Sequence, residues 1–369
     1  MSPAAQGMSR DVLVLRAGPR ARAVLRERGL RSQDVRVIPA AAGGPKGLVL
    51  MPLDRFLFGH WLPSAGPQAA PVHLVGASIG AWRLINGAMA DPLAALDRLA
   101  DDYIHQSYDV PPGDWPTPAE VSRVFRQLLG AQIAGHEAAL LQHPRWRLHL
   151  VTSRGIGPGL GGRDDSPACK AGLGLAWAAN ALSRRALGRC LQRVLFSDPR
   201  TPLPLAFDDL STARVPLRPD NLADAAVASG SIPLVLQAVT DIAGAPPGLY
   251  WDGGLTDYHL HWPWSQIDDG LVLYPHFQRA VVPGWFDKPW ASRSRPGPGL
   301  DNLVLLHPHP DWVARLPGGQ LPDRRDFRRF GADVAARQRG WREALAASQA
   351  LAEAFAQLCT RSSLDALPL

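Results

Sequence analysis

Lysine is almost missing from this basic chain. Of its 369 residues, with a formal net charge of +6, only Lys46, Lys170 and Lys288 are lysines, and the other basic side chains are arginines. Those arginines are scattered and interleaved with acids, as in RAGPRARAVLRERGLRSQ and DRRDFRRF. That is the pattern of solvated helix faces, not of a basic stripe following a phosphate backbone, so nucleic acid is not an expected partner. Weak attraction to an anionic lipid surface stays compatible with the charge. Cysteine is scarce as well: Cys169, Cys190 and Cys359 are odd in number and have no paired spacing, so neither a disulfide framework nor a zinc site is implied. Long apolar runs are lacking. The segment AGLGLAWAANAL is too short to cross a bilayer, and the opening MSPAAQGMSR has no apolar stretch of signal-peptide length. These absences favour a soluble chain in a reducing, cytoplasmic compartment.

Glycine and proline, by contrast, are abundant at 35 each and spread without period, which reads as loop-rich rather than disordered. Short apolar runs alternate with helical patterns. DVRVIPAAA reads as a strand, followed by a glycine turn and a helix over LVLMPLDRFLFG. VHLVGAS is a second strand, leading into helical AWRLINGAMADPLAALDRLADDYIHQ with a break at Pro92. RWRLHLVTSR, GLYWDGG, LVLYPH and NLVLLHPHP are further strand candidates. DVAARQRGWREALAASQALAEAFAQL reads as one long helix with a weak point at Gly340. Strands that are continuously apolar and alternate with helices predict an α/β fold with a mostly parallel central sheet. PPGDWPTP and ASRSRPGPGLDN read as loops, not as domain linkers, so residues 1–369 are expected to form a single domain.

Three segments have residue types suited to chemistry. In LVGASIGAWRLI, Ser78 sits between Gly76 and Gly80, at the junction of a strand and a helix. Such a turn forces the serine into a strained backbone that tolerates only small residues two places away, and it points a helix N-terminus at the site. A plain glycine corner would look the same. In AAGGPKG, again between strand and helix, consecutive glycines let backbone amides converge on an anion. Pro45 has no N–H, so the available donors are those of Gly43, Gly44, Lys46 and Gly47. A phosphate cradle is the competing use, but Gly47 stands where a P-loop has Ser or Thr. In YWDGGLTDY, Asp252 ends a strand before two glycines, where an aspartate can simply form a turn.

Taken together, these segments resemble those of the patatin-like phospholipases, serine acyl hydrolases that use a Ser–Asp dyad. AGGPKG is similar to the family's glycine-rich block with Lys46 at its basic position, GASIG to its nucleophile block and DGG to its acid block. ASGSIP, from Ala228 to Pro233, matches a fourth block of the form A-S-x-x-x-P. All four occur in the family's order, over roughly residues 35 to 260. The chain departs from the family at Ala42, where the first glycine of the loop is expected, and in LTDYHLHWPW after DGG. Nothing beyond about residue 265 carries the resemblance, so that part is expected to be a C-terminal elaboration.

The resemblance implies a three-layer α/β/α sandwich and no cofactor or metal. It also implies attack by Ser78 on a lipid-type acyl ester, with Asp252 as base, the glycine loop as oxyanion hole and an acyl-serine intermediate. A free aspartate titrates near about 3.9 and is a weak base for a hydroxyl, so the site must be dry enough to raise that value. AGLGLAWAANAL, HWPWSQ and VPGWFDKPW could line an acyl groove, meet a membrane, or pack as ordinary core. Two rival readings are a Ser–Asp–His triad, completed by His276, His307 or His309, and a non-catalytic lipid-binding protein on a hydrolase fold. HPHPD is a weak metal-ligand pattern, and His259 and His261 are expected in a loop or groove wall.

Overall fold

The computed structural model describes residues 11–108, 110 and 115–369. The MSPAAQGMSR opening and the PPGD of the first loop segment lie outside the described residues. Among the described residues, eleven strands form one mixed sheet flanked by helices, a three-layer α/β/α arrangement. Its parallel centre consists of β10 (Leu303–Pro308), β9 (Leu271–Pro275), β2 (Val35–Ala40), β3 (Val72–Ala77) and β4 (Trp146–Gly155), adjacent in that order. All but one residue of β2, and every residue of β3, β9 and β10, is buried. Burial on both faces is why these strands are continuously apolar in sequence.

Residues beyond 265 are woven into this sheet. β9 and β10 stand between β2 and the first strand, β1 (Leu13–Ala17), and the short β11 (Leu367–Pro368) runs beside β1. On the other side, β5 (Leu191–Ser197) runs antiparallel to β4 and carries β6 (Thr212–Pro216). β8 (Leu249–Asp252) pairs antiparallel with β4 and with the two-residue β7 (Val239–Thr240).

The helical expectations hold in outline, with two adjustments. The segment after β2 begins as a tight 3-10 turn, Gly44–Leu50, before the α-helix Met51–Phe56 and a wider turn, Leu57–Trp61. The helix after β3 stops at Gly87 and resumes as Pro92–His105, where the Asp91 side chain accepts from the Ala94 amide and Pro92 occupies the first turn. The last helical stretch is two helices, Val334–Ala347 and Gln349–Cys359, and the break falls at Ser348 rather than Gly340. The buried Ser348 hydroxyl turns back to donate to the Ala344 carbonyl at 2.6 Å, which the Ser348 amide also reaches, a back-bond that favours a bend at this point.

Candidate active site

Three strands deliver their carboxyl ends to one edge of the sheet. β2 ends in the AAGGPKG loop, β3 ends at Ser78, and β9 leads into His276 and Phe277. Because the chain leaves β2 toward β3 on one side while β9 flanks it on the other, a crevice opens there, as is usual where strand order reverses in a parallel sheet. A cavity of about 740 Å³ occupies it, lined among others by Gly43, Lys46, Asp252, Tyr258 and Ala280.

The meeting of Ser78 and Asp252 follows from strand register. β3 pairs with β4 up to Ala77 opposite Val151, and β8 arrives from the opposite direction with Asp252 opposite Thr152. The two strands thus share one side of β4 and meet head-on at Val151–Thr152. Ser78 turns away at φ 56° and ψ −131°, a left-handed conformation that costs a non-glycine residue about 1–3 kcal/mol. The flanking glycines make that turn possible. A Cβ on Gly76 would stand 2.4 Å from the Ala81 Cα, and one on Gly80 would stand 2.1 Å from the Ala40 carbonyl oxygen. The helix Ile79–Gly87 can therefore start directly against the end of β2.

The ASGSIP segment fastens both residues, a role the sequence pattern did not disclose. The Ser229 hydroxyl accepts the Ser78 amide at 3.0 Å and donates to the Val151 carbonyl at 2.7 Å. The Ser231 carbonyl accepts the Asp252 amide at 2.8 Å, and the Ser229 carbonyl accepts the Gly253 amide at 3.1 Å. Gly254 donates its N–H to Asp252 Oδ1 at 2.7 Å, an approach that a Cβ at Gly254 would obstruct by meeting that oxygen at 2.9 Å.

Ser78 is close enough to Asp252 for its hydroxyl to lower the carboxyl's pKa, but no direct hydrogen bond joins the two side chains. Both are nearly closed off, Ser78 at 3% and Asp252 at 5% exposure, and it is Asp252 that faces the cavity. Burial pushes the Asp252 carboxyl above the ordinary range. The Arg324 guanidinium, the Ser78 hydroxyl, the Gly254 amide and the Lys288 ammonium offset this in part.

The anion loop is narrower than its sequence suggests. Ala42, where the loop departs from the family pattern, gives its N–H to the Tyr258 carbonyl at 2.9 Å. Lys46 and Gly47 lie inside the 3-10 turn, whose amides return to carbonyls three residues back, so Gly43 and Gly44 are left at its open start. Gly44 adopts φ +58°, and a Cβ there would stand 2.9 Å from Arg324 Nε. Gly47 instead lets the loop lie on the following helix, since its Cβ would meet Ile79 Cγ1 at 2.8 Å. The Lys46 ammonium pairs with Asp323 at 3.4 Å and sits 5.6 Å from the Phe277 ring centre.

The histidines are engaged elsewhere. His276 is buried with Nδ1 bound to the Gln278 backbone, and burial takes its pKa down to about 3. His307 receives Arg16 Nε at 3.3 Å across β1 and β10, and His309 Nδ1 accepts the Asp311 amide at the start of the helix Pro310–Ala314. His259 is buried, with its Nδ1 accepting the Val282 amide, and His261 is partly buried near Arg184 and Asp287. Of the tryptophan-rich segments, Trp262 and Trp264 are core residues, Trp285 lines the cavity, and Trp290 packs 6.2 Å from Trp177. AGLGLAWAANAL belongs to the helix Pro167–Leu182, with Leu175, Trp177 and Leu182 exposed. Among the described residues no helix is long and apolar enough to cross a membrane.

Lys288, Arg324 and Asp323 are the site residues that sequence reasoning missed. They come from segments without a motif, and the scarcity of lysine was the one available signal for Lys288. Comparison of the chain with models of known families and with curated protein sequences finds no match.

Proposed function

We propose that the protein is a serine acyl-ester hydrolase of lipid-type substrates, of the patatin-like phospholipase kind, working through a Ser78–Asp252 dyad. The observation that carries this reading is the head-on approach of β3 and β8 along β4, with a strained serine beside a buried carboxyl whose pKa burial raises. In the proposed reaction the Ser78 hydroxyl attacks the ester carbonyl while its proton passes to Asp252. The resulting oxyanion is met by the amides of Gly43 and Gly44, each such donor contributing about 3 kcal/mol. Asp252 then protonates the departing alcohol, leaving an acyl-serine. Water activated by the same carboxylate releases the acid and restores Ser78.

A carboxyl lifted by burial is a better base than a free one, which supports a dyad. The hydrogen bonds of His276, His307 and His309 to other groups favour it over a triad. Apolar cavity residues, Ile232, Leu255, Val281, Val282, Leu300 and Leu305, suit an acyl chain.

The proposed setting is cytoplasmic, with peripheral contact to an anionic membrane through exposed Leu175, Trp177 and Leu182. Co-sedimentation with phosphatidylserine-containing vesicles that weakens in Trp177→Ser/Leu182→Ser supports that contact, and unchanged sedimentation removes it. The hydrolase reading is tested with a fluorophosphonate probe. One-to-one labelling that disappears in Ser78→Ala is expected. A folded parent that does not label returns the protein to the non-catalytic lipid-binding reading.

A further inference from the structure

The cavity beside Asp252 is far more positive than an ester of a neutral alcohol requires. Lys46, Arg279, Lys288, Arg295, Arg324 and Arg325 line it against only two carboxylates, Asp252 and Asp323. With both acids ionised and Lys288 protonated, the side chains of the wall carry an excess of four positive charges. Two of the chain's three lysines are among these residues, in a protein that otherwise uses arginine.

Three of these cations converge. Lys46 has Asp323 as partner at 3.4 Å, whereas among the described residues no carboxylate lies within ion-pairing distance of Lys288 or Arg324. The Lys288 ammonium stands over the Tyr258 ring, 4.0 Å from its centre, and opens onto the cavity. Arg324 packs against Gly44, so its guanidinium lies beside the loop proposed to hold the oxyanion. Crowding by protein atoms, with Lys46 and Arg324 close by, brings the Lys288 ammonium down to about 7. Like charges held together in a partly desolvated cleft repel one another, and a bound anion relieves that cost.

We propose that Lys288 and Arg324, assisted by Lys46, form a binding site for an anionic group, phosphate or carboxylate, carried by the substrate close to its ester. The inference rests on the hydrolase reading and narrows it: the preferred substrate is an acyl ester bearing an anion rather than a neutral glyceride. Arg324 and Lys288 are positioning residues here, holding the anion so that the ester reaches Ser78.

Non-hydrolysable ethers separate this inference from the chemistry. By isothermal titration, 1-O-octylglycerol 3-phosphate is expected to bind the parent at least about 10-fold more tightly than 1-O-octylglycerol, the size of effect given by one or two charge-assisted hydrogen bonds. The advantage is expected to shrink below about 3-fold in Lys288→Met and in Arg324→Met, and to persist in Lys288→Arg. Equal affinity of the charged and neutral ethers for the parent overturns the proposal, even if a Met variant does not fold. So does an advantage that survives in both Met variants. In a third arm, the matching glycerate ether identifies a carboxylate source if it equals the phosphate ether and a phosphate source if it binds less well. A serine that fails to label with fluorophosphonate while the charged ether is still preferred would remove the hydrolase reading and leave the anion site standing.

Discussion

Asp252 and Asp257 lie five residues apart on one strand–helix unit, and both are buried. Their surroundings differ. Asp257 is gripped by Arg193, whose Nε and Nη2 reach its two oxygens at 2.7 and 2.6 Å, and it also accepts the Trp262 indole N–H at 2.7 Å. Asp209 supports Arg193 from the other side, and Arg184 extends the network to Asp287. Among the described residues, no cation forms an ion pair with Asp252. Its side chain accepts one backbone amide, that of Gly254, and its carboxyl is pushed up by burial. The fold fastens one aspartate to secure the short helix Gly254–Asp257, and leaves the other under-compensated, as the proposed proton exchange requires.

Exchanging the two acids for asparagine is expected to split their roles most sharply. Asp252→Asn should lower kcat for ester hydrolysis by about 10³-fold, within the range for a lost general base. Its stability should not suffer. Because burial raises the folded-state pKa of Asp252, the stability this group contributes is fully present below its unfolded value and is lost as pH rises through the folded one. At neutral pH asparagine removes that loss, so urea unfolding should show a midpoint no lower than the parent's. Asp257→Asn removes one of the two carboxylates paired with the fully buried Arg193 guanidinium and should cost about 3–5 kcal/mol in the same measurement. Equal stability losses in the two variants would erase the contrast.

Smaller effects sharpen it. Gly44→Ala places a Cβ at φ +58° and 2.9 Å from Arg324 Nε, and should reduce kcat by about 10²-fold through a displaced amide donor. Ser229→Ala leaves the Ser78 amide and the Val151 carbonyl without partners, at about 1–3 kcal/mol of stability, with a loss in kcat larger than the change in KM. The mildest signature is the pH profile. The rising limb of kcat/KM should report an apparent pKa above the ordinary carboxylate value of about 3.9. Preference for an anionic ester should fade as pH rises through about 7, where Lys288, facing Lys46, Arg324, Asp323, Asp252 and the Tyr258 ring, becomes neutral. A preference that stays flat from pH 6 to 9 would take Lys288 out of recognition.

The parts of this arrangement that were legible in sequence are those that depend on local backbone. Gly76 and Gly80 flank Ser78 because any larger residue would strike the adjoining backbone, and such a constraint leaves a short, local pattern. β2, β3, β9 and β10 were legible because burial on both faces leaves a mostly apolar run. β5 and β6 were not, since Arg193 and Arg214 interrupt them, and the charge of Arg193 is neutralised only by residues from distant segments. The break at Ser348 looked helical because serine disturbs a helix only through where its hydroxyl turns. Lys288 and Arg324 reach the cavity from loops with no fixed spacing to Ser78, so no motif could register them.

A consequence follows from β4, a ten-residue strand along which both β3 and β8 are laid. It works as a gauge block: the gap between Ser78 and Asp252 is fixed by the single peptide step from Val151 to Thr152, whatever the loops above it do. Adding or removing one residue there would turn the carboxylate to the opposite face of the sheet. Rebuilding the rim from residue 278 to 325 would alter what is admitted without touching that spacing. Under the proposed function, selectivity and reactivity can therefore drift independently, and an engineer could retune one while leaving the other fixed.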